Sequence, residues 1–578
     1  MSSTPKALGF LVAFVVVLWM VAGCDRDRPD LDPDEVDTEK ESEGAEKEQA
    51  SIYDEMYGVD PVEPFDMGPP APAVYFTAGL KGYTEPCGCT ADVMLGGIDR
   101  ITAFVKDARG LHDEAVFIDA GDWLFEHPHL EEHLHPQERA KAGVLAAAHR
   151  SMGTLFSVPG DRDLSLGVPF YLEMMEEAQM TPLSANLSFD GEALQAVDSR
   201  EIDGVDVAFV GAGDPGLYDG IDGVSASDDR SAIEAALAEV DDGAVSILVY
   251  QGSVERATEL MEAVSRLDFV IVGHDPRLRT QPEGVGEGFM LEARDQGRYV
   301  GRLKLYDADF EGSFVDGRSG FAEQRDGLRS QIDHVERDLR VLEVRTEGKE
   351  NPMSQRLKER LEGLQERRDE LEREGIEIPE GSRAFLYDAI AMEPGYRLDE
   401  ELRERRVAYN RSLRELNQDL EREVIPVAEG EPFYIGTPEC TSCHLEAHNF
   451  WEGTAHSSAV ATLEERDKEY DQNCIGCHVV GWEEPGGSVL GKLVYQAELD
   501  GREFEKDLTE VGCESCHGPG SAHRQMPIDR EGIAQHIIRH PTEAQCTQCH
   551  VPEHSPRFDF DVYVRQITGE GHEYTGAN

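Results

Sequence analysis

The chain has 578 residues, with 116 acidic against 54 basic side chains and a formal net charge of −62. This length is too great for one domain, and the charge argues against nucleic acid or anionic membrane surfaces as binding partners. A solvated acidic surface explains the excess of carboxylates without any particular partner.

The N-terminus predicts export. Residues 1–24 contain one early lysine and an apolar run that ends Val21-Ala22-Gly23-Cys24, as a secretory signal does. This ending resembles a bacterial lipobox, and the resemblance implies cleavage before Cys24 and acylation of its thiol. We therefore expect a membrane-anchored lipoprotein in the periplasm or at the outer cell surface, with an uncleaved membrane anchor as the alternative.

Composition and periodicity divide the rest of the chain into four parts. Residues 25–70 are acidic and poor in apolar side chains, which predicts a disordered tether. Residues 71–314 alternate short apolar runs with amphipathic stretches, which predicts an α/β domain with its sites at the carboxyl ends of strands. In residues 319–424, apolar side chains recur at steps of three and four, which predicts a helical hairpin, as an antiparallel coiled coil, then a strand and a third helix. Residues 431–578 form the last domain.

Eight of the 11 cysteines lie in four copies of the pattern C-x-x-C-H. In this pattern both thiols attach a c-type haem, and the adjacent histidine is the proximal iron ligand. Zinc sites also use paired cysteines, but they need no histidine directly after each pair. The pattern therefore predicts four covalent haems rather than zinc or structural disulfides. The predicted attachment residues are Cys440, Cys443, Cys474, Cys477, Cys513, Cys516, Cys546 and Cys549, and the predicted proximal ligands are His444, His478, His517 and His550.

Two longer motifs surround the first and third of these sites. W-x-x-T-x-H-x-x-A begins at Trp451, and C-H-G-P-G-x-x-H begins at Cys516. Both resemble the tetrahaem cytochrome family typified by the electron acceptor of hydroxylamine oxidoreductase. The resemblance implies a mainly α-helical domain whose haems lie in close pairs and pass electrons along the set. Its motifs mark His456 and His523 as distal iron ligands. Weaker distal candidates, His540 and His572, flank the fourth site and compete for it.

The loops of the α/β domain contain "GGIDRITAFV", "VFIDAGDWLF", "VPGDRDLSLG" and "VIVGHDP". These resemble the 5'-nucleotidase branch of the calcineurin-like metallophosphoesterases, in which two metal ions activate a water for attack on phosphorus. Asp122, Asp161 and His274 stand at ligand positions and could hold one divalent metal ion. The family's other ligand and catalytic positions fall at Gly79, Lys81, Arg162, Tyr250 and Pro276. We therefore expect a degenerate metallophosphoesterase-like sandwich without phosphatase chemistry.

Two further features of this domain are not explained by that resemblance. Cys87 and Cys89 follow the first strand. In an exported protein such a pair could be a redox dithiol, a strained disulfide, a soft-metal site or a purely structural turn. A histidine-rich loop follows Asp122 and could bind metal, although a solvated loop is the simpler interpretation. Its histidines are His127, His129, His133 and His135.

Together these features predict an exported, lipid-anchored multihaem c-type cytochrome that exchanges electrons with redox partner proteins. Two alternatives stay open at this point. One is an oxidoreductase with one open haem iron that acts on a small nitrogen or sulfur compound. The other is a residual 5'-nucleotidase that uses Asp122, Asp161 and His274 with a single metal ion.

Overall fold

The computed structural model describes residues 71–87, 95–112, 114–279, 281–306, 312–318, 322–345, 352–374, 381–417, 422–526, 536–551, 555, 558–569 and 572. Cys24, the predicted export signal and the predicted tether lie outside these ranges. Within these ranges, no helix is both long enough and apolar enough to cross a bilayer.

The strands are β1 (Ala73–Thr77), β2 (Pro86–Cys87), β3 (Leu95–Gly96), β4 (Val116–Asp119), β5 (Phe156–Ser157), β6 (Thr181–Pro182), β7 (Leu187–Phe189), β8 (Glu192–Ala193), β9 (Val197–Ile202), β10 (Val205–Gly213), β11 (Val224–Ala226), β12 (Val245–Gln251), β13 (Phe269–Val272), β14 (Glu283–Val285), β15 (Gly288–Leu291), β16 (Tyr299–Tyr306), β17 (Val315–Asp316), β18 (Ala384–Ala391), β19 (Val494–Leu499) and β20 (Arg502–Asp507).

The α-helices are α1 (Ile98–Leu111), α2 (His135–Met152), α3 (Val168–Ala178), α4 (Asp229–Leu237), α5 (Val254–Ala263), α6 (Ala322–Arg345), α7 (Pro352–Glu374), α8 (Glu400–Asn417), α9 (Thr437–Thr441), α10 (Leu445–Trp451), α11 (Ala459–Glu464), α12 (Cys513–His517), α13 (Ser521–Arg524), α14 (Glu543–Cys546) and α15 (Phe560–Ile567).

Two mixed sheets lie face to face at the centre of the α/β region. The first has the strand order β17-β18-β16-β1-β4-β5-β6, and the second has the order β14-β15-β13-β12-β10-β9. One apolar cluster joins them, with Phe76 and Ile118 of the first sheet packed against Phe209 and Ile247 of the second. Helices α1, α2, α3 and α8 cover the outer face of the first sheet, and α4 and α5 cover that of the second. The predicted α/β domain is therefore a two-sheet sandwich between helices.

The predicted domain boundary after residue 314 cuts the first sheet. Strand β18 lies beyond it, yet β18 pairs antiparallel with β16, from Tyr299 opposite Ala391 to Tyr306 opposite Ala384. The apolar residues of β18 complete the core between the sheets, and α8 packs on the outer face of the first sheet. The α/β region therefore includes residues up to Asn417, and helices α6 and α7 are an insertion between β17 and β18.

The helices of this insertion contact one another, and α6 also contacts α15. Leu328, Ile332 and Val335 of α6 and Leu357 of α7 are more than nine-tenths buried. Steps of three and four residues place such side chains on one stripe of a helix, which accounts for their common burial.

The C-terminal region consists of short helices, turns and the β19–β20 hairpin. Its apolar clusters are small. One contains Val460, Leu463, Ile475 and Val479, and another contains Tyr434, Val480 and Leu508. Small protein cores are typical of domains in which bound groups supply much of the stabilisation.

Candidate functional site

The four C-x-x-C-H segments lie close together in pairs. None of their eight cysteines forms a disulfide. The thiol of Cys440 lies close enough to that of Cys513 to shift its pKa, and the same holds for the thiols of Cys477 and Cys549. The first site therefore lies beside the third, and the second lies beside the fourth.

Three of the four predicted proximal histidines form a hydrogen bond between Nδ1 and an oxygen atom of a described residue. The pairs are His478 with the carbonyl of Ala459, His517 with the carbonyl of Ile538 and His550 with the hydroxyl of Ser555. A carbonyl oxygen only accepts, so Nδ1 carries the proton in the first two pairs and Nε2 keeps its lone pair. Metal-bound histidines are commonly oriented in this way, and these side chains are therefore preset to bind iron through Nε2.

Two of the proximal histidines face a second imidazole. The ring centroids of His444 and His523 are 6.2 Å apart, with 29° between the ring planes. Those of His550 and His456 are 6.1 Å apart, with 50° between the planes. Metal–imidazole bonds are about 2 Å long, so two imidazoles on opposite sides of one ion have ring centres roughly 6 Å apart. Both pairs fit the two axial ligands of a haem iron.

The remaining candidate ligands differ from each other. His572 has a buried Nδ1 that makes no hydrogen bond to any described residue. Burial lowers its pKa, and the nearby His517 and His444 lower it further, so the ring is neutral at pH 7. His540 is exposed. The sequence predicts that both compete for the fourth site, but the structure brings His456 to that site and His572 towards the third.

Glu514 positions the first imidazole pair, although no sequence signal marks it. It is the second residue of the third C-x-x-C-H segment, and 2% of it is exposed. Its carboxylate accepts hydrogen bonds from the backbone N–H groups of Gly436 and Gly520 over 2.6 and 2.7 Å. Gly436 precedes the helix that carries Cys440, and Gly520 precedes His523 by three residues. One carboxylate therefore holds both sides of this pair.

In the α/β region, a buried carboxylate joins the loops that form the metallophosphoesterase-like site. Asp163 accepts hydrogen bonds from the backbone N–H groups of Asp122 and Trp123 after β4, each over 2.8 Å. It also accepts one from Gly160 after β5, over 3.0 Å. Burial, and then the charge of Asp122, raise the pKa of Asp163. These bonds fix the positions of Asp122 and of the loop that carries Asp161.

The three predicted metal ligands of this site come together. Asp122, Asp161 and His274 offer ligand atoms within 4.8 Å of one another. However, these ligand atoms already have partners, because Arg162 Nη1 lies 2.7 Å from Asp122 Oδ2 and 3.1 Å from His274 Nδ1, and His274 Nδ1 lies 2.9 Å from the same Asp122 oxygen. Arginine stays protonated in proteins, so a permanent cation already neutralises the buried carboxylate that a metal ion would bind.

A second cation closes the other side of the site. Lys81 Nζ lies 2.7 Å from Asp275 Oδ1 and 2.7 Å from Asp295 Oδ2. Burial alone would raise the pKa of Asp275, but Lys81 and Arg162 outweigh burial and lower it to about 2. A divalent ion at Asp122 would therefore have to displace the Arg162 guanidinium, which shares Asp275 with Lys81.

At the end of β12, the residue that faces this site is Gln251 rather than Tyr250. The Tyr250 hydroxyl donates to Asp229 Oδ2 over 2.7 Å on the face covered by helices. Gln251 is fully buried, and its amide donates to the carbonyl of Ala120, two residues before Asp122. Neighbouring strand residues point to opposite faces, so the side chain that reaches the site from the end of β12 is that of Gln251.

Two other predictions for this domain concern the thiol pair Cys87 and Cys89 and the histidine-rich loop after Asp122. Cys89 lies outside the described residues, and only the backbone of Cys87 is described, so the thiol pair stays a prediction. In the histidine-rich loop, His127 and His129 are exposed. Within the part of the chain that the structure describes, no histidine of this loop belongs to a group close enough to bind metal.

Comparisons with known proteins bear on both regions. Residues 439–518 match the family model of cytochrome c554 and c-prime. The cytochrome c-554 of Nitrosomonas europaea is 30% identical over 154 residues, which are 22% of this chain and 60% of that protein. The chain thus spans about three fifths of this relative's length. The predicted resemblance of the C-terminal region to this cytochrome family is confirmed.

Solved structures give corresponding matches. Reduced cytochrome c554 from Nitrosomonas europaea is 25% identical, with a TM-score of 0.19, over 24% of this chain and 86% of that one. A 5'-nucleotidase precursor from Thermus thermophilus is 14% identical, with a TM-score of 0.42, over 68% of each chain. A putative 5'-nucleotidase from Staphylococcus aureus is 15% identical, with a TM-score of 0.41, over 68% of this chain and 66% of that one.

The pairing of Asp122 with Arg162 in the metallophosphoesterase-like site leads to a prediction about phosphoester hydrolysis. We expect the purified protein to release no phosphate from 5'-nucleotides, even with added manganese, because Arg162 holds the Asp122 carboxylate that would bind the metal and the family's other ligand positions are lost. A phosphate-release assay checks this. The matched control is the Asp122→Ala, His274→Ala double variant, and turnover that disappears in this variant would contradict the prediction.

Proposed function

We propose that this protein is an exported, lipid-anchored electron carrier with four covalent c-type haems. The observation that carries the proposal is the placement of His523 opposite His444 and of His456 opposite His550, at 6.2 and 6.1 Å between ring centroids. In a chain with four C-x-x-C-H segments, these pairs supply both axial ligands for two of the irons. Bis-histidine iron is closed to substrates and suited to electron transfer.

Contacts between the attachment segments support an order of electron transfer. The nearby thiols pair the first site with the third and the second with the fourth. Gln545, next to Cys546, donates through Nε2 to the carbonyl of Cys516 over 3.1 Å. The third site thus borders the fourth. We infer that electrons pass between the haems in the order first, third, fourth, second, with His572 as the distal ligand of the third.

Export follows from two features of the sequence. The apolar run that ends at Cys24 has the form of a lipoprotein signal, and haem is attached to C-x-x-C-H outside the bacterial cytoplasm. The anchored protein would exchange electrons with redox proteins in the periplasm or at the outer surface. In this proposal the helices α6 and α7 form an antiparallel coiled coil beside the haem region, and the α/β region does not hydrolyse phosphoesters.

The first test is the number of haems. Protein from a host with haem-maturation machinery is expected to carry four covalent haem additions by intact mass, since the chain has four C-x-x-C-H segments. A Cys474→Ala, Cys477→Ala variant is the matched control and should carry one fewer. Bound zinc without any haem stain on a denaturing gel would refute the proposal. Carbon monoxide binding to the reduced wild type would reveal an open iron, and turnover of a small nitrogen or sulfur compound at that iron would instead favour the oxidoreductase.

A further inference from the structure

The α/β region holds the second haem-attachment segment through side chains of α2. Asp471 and Asn473 lie three residues and one residue before Cys474. Gln137 Nε2 donates to Asp471 Oδ1 over 3.3 Å, and Asn473 Nδ2 donates to Glu138 Oε1 over 2.7 Å. Both α2 side chains are buried, with 0% and 2% exposed. The second site is therefore fixed to the α/β region directly beside its first cysteine.

A third helix residue completes this contact. Asn417 is fully buried at the end of α8 and donates through Nδ2 to Gln137 Oε1 over 2.9 Å and to the carbonyl of Tyr470 over 2.8 Å. Its Oδ1 accepts a hydrogen bond from Gln472 Nε2 over 3.3 Å. A buried polar network of this kind specifies one arrangement of the groups that it joins.

Charged side chains lie next to this network. Glu85 comes from the loop after β1, and its Oε1 accepts hydrogen bonds from Arg406 Nη1 over 3.0 Å and from Asn410 Nδ2 over 2.7 Å. Lys468 Nζ lies 3.6 Å from Glu85 Oε2 and 3.5 Å from Asp471 Oδ2. Burial alone would raise the pKa of Glu85, but Lys468, Arg406 and Asn410 outweigh burial and lower it to about 2. Glu85 is therefore ionised at every physiological pH.

These charges act on the second attachment site. Burial raises the pKa of the Cys474 thiol, Asp471 and Glu85 raise it further, and Lys468 lowers it. In the haem-bound protein this sulfur is the thioether at the edge of the macrocycle, so the same three charges lie near the haem. Only 12% of the Glu85 side chain and 13% of the Lys468 side chain are exposed. Solvent therefore screens these two charges less than it screens charges on the surface.

We propose that the α/β region is the electrostatic partner of the second haem, and that Glu85 and Lys468 set the reduction potential of that haem. The inference rests on the proposed function, because it requires a haem at Cys474 and Cys477. A nearby negative charge stabilises the ferric state and lowers the potential, whereas a positive charge stabilises the ferrous state and raises it. The α/β region would thus tune the haem at one end of the inferred electron path.

The test uses full-length, haem-loaded protein and two variants that change charge with little change in shape. Glu85→Gln is expected to shift one component of a spectroscopic redox titration to higher potential, because Lys468 and Arg406 then lack their counter-ion. Lys468→Gln is expected to shift the same component to lower potential, because Glu85 stays ionised beside Arg406. The other components are expected to keep the potentials of the wild type.

The matched control is Glu469→Gln, which removes a carboxylate charge from the residue next to Lys468. Glu469 pairs with Arg414, which is 62% exposed, and is not among the charges with the largest effect on Cys474. This variant is expected to shift nothing. Intact mass gives the haem count for every variant, so a missing haem in the wild type refutes the proposed function separately. If Glu85→Gln loses haem, Lys468→Gln alone tests the inference: a shift of one component to lower potential supports it, and a shift to higher potential contradicts it. Unchanged potentials, or equal shifts of all components, would overturn the inference.

Discussion

Replacing His523 with alanine is expected to convert one of the proposed haems from low spin to high spin. The His523 ring faces His444 at 6.2 Å between centroids, so its removal opens the sixth coordination position of the first haem. An open ferrous iron binds carbon monoxide, whereas bis-histidine iron does not. We expect the reduced variant to bind about one more carbon monoxide per chain than the wild type, measured by titration, and to lose one low-spin signal in electron paramagnetic resonance.

His456→Ala is the companion variant, and it is expected to give the same change at the fourth haem because His456 faces His550. His540→Ala is the matched control, since His540 is exposed. That control should keep the spectrum of the wild type. If both His523→Ala and His456→Ala keep an unaltered low-spin spectrum, the assignment of the axial ligands is wrong.

The sequence predicts the parts of the haem region that depend on local spacing. C-x-x-C-H places two thiols and an imidazole within five residues, so a reader of the sequence finds each attachment site directly. The partner of each proximal histidine depends on long-range folding. His456 lies 12 residues after the first proximal histidine, His444, yet it faces His550, the fourth. No spacing in the chain predicts that pairing.

In the α/β region, too, the sequence predicts the site residues but not all of their contacts. The sequence identifies Asp122, Asp161 and His274 as the surviving ligands, and the structure brings them together. The sequence does not show that the Arg162 guanidinium would contact Asp122 and His274, because that contact depends on the side-chain direction set by the loop after β5. A sequence motif can also be placed one residue away from the position that faces the site. In a strand, a shift of one residue moves a side chain to the other face of the sheet, as the different directions of Tyr250 and Gln251 show.

The contacts between the two regions are the least predictable from sequence. Glu85, Asn417 and Asp471 are polar residues that a sequence analysis assigns to the surface, since charged and amide side chains are mostly exposed. Each is buried here because it has a partner from a distant part of the chain. Long-range pairs of this kind leave no periodic signal, so the redox-tuning role proposed for Glu85 could arise only from the structure.

Replacing Arg162 with alanine is expected to destabilise the α/β region by about 3–5 kcal/mol, the range found when one partner of a buried ion pair is removed. Asp122 is 0% exposed, and Arg162 Nη1 is 2.7 Å from its Oδ2, so the variant leaves a buried carboxylate without its main counter-ion. Burial and Asp122 also raise the pKa of the neighbouring Asp161. Calorimetric unfolding of the wild type and the variant measures the loss.

The matched control is Arg397→Ala, which breaks an Arg–Asp pair on the surface of the same region. Arg397 and Asp107 are 58% and 53% exposed, and exposed pairs of this kind contribute about 0–1 kcal/mol. Manganese provides the second arm of the experiment. In Arg162→Ala the ligand atoms of Asp122, Asp161 and His274 stay within 4.8 Å of one another without the competing cation, so a divalent ion should bind there in place of the contact between His274 and Asp122 and recover part of the lost stability. The wild type should show no such increase, because its guanidinium already neutralises Asp122. A wild type stabilised by manganese as strongly as the variant would show that Arg162 does not fill the metal position.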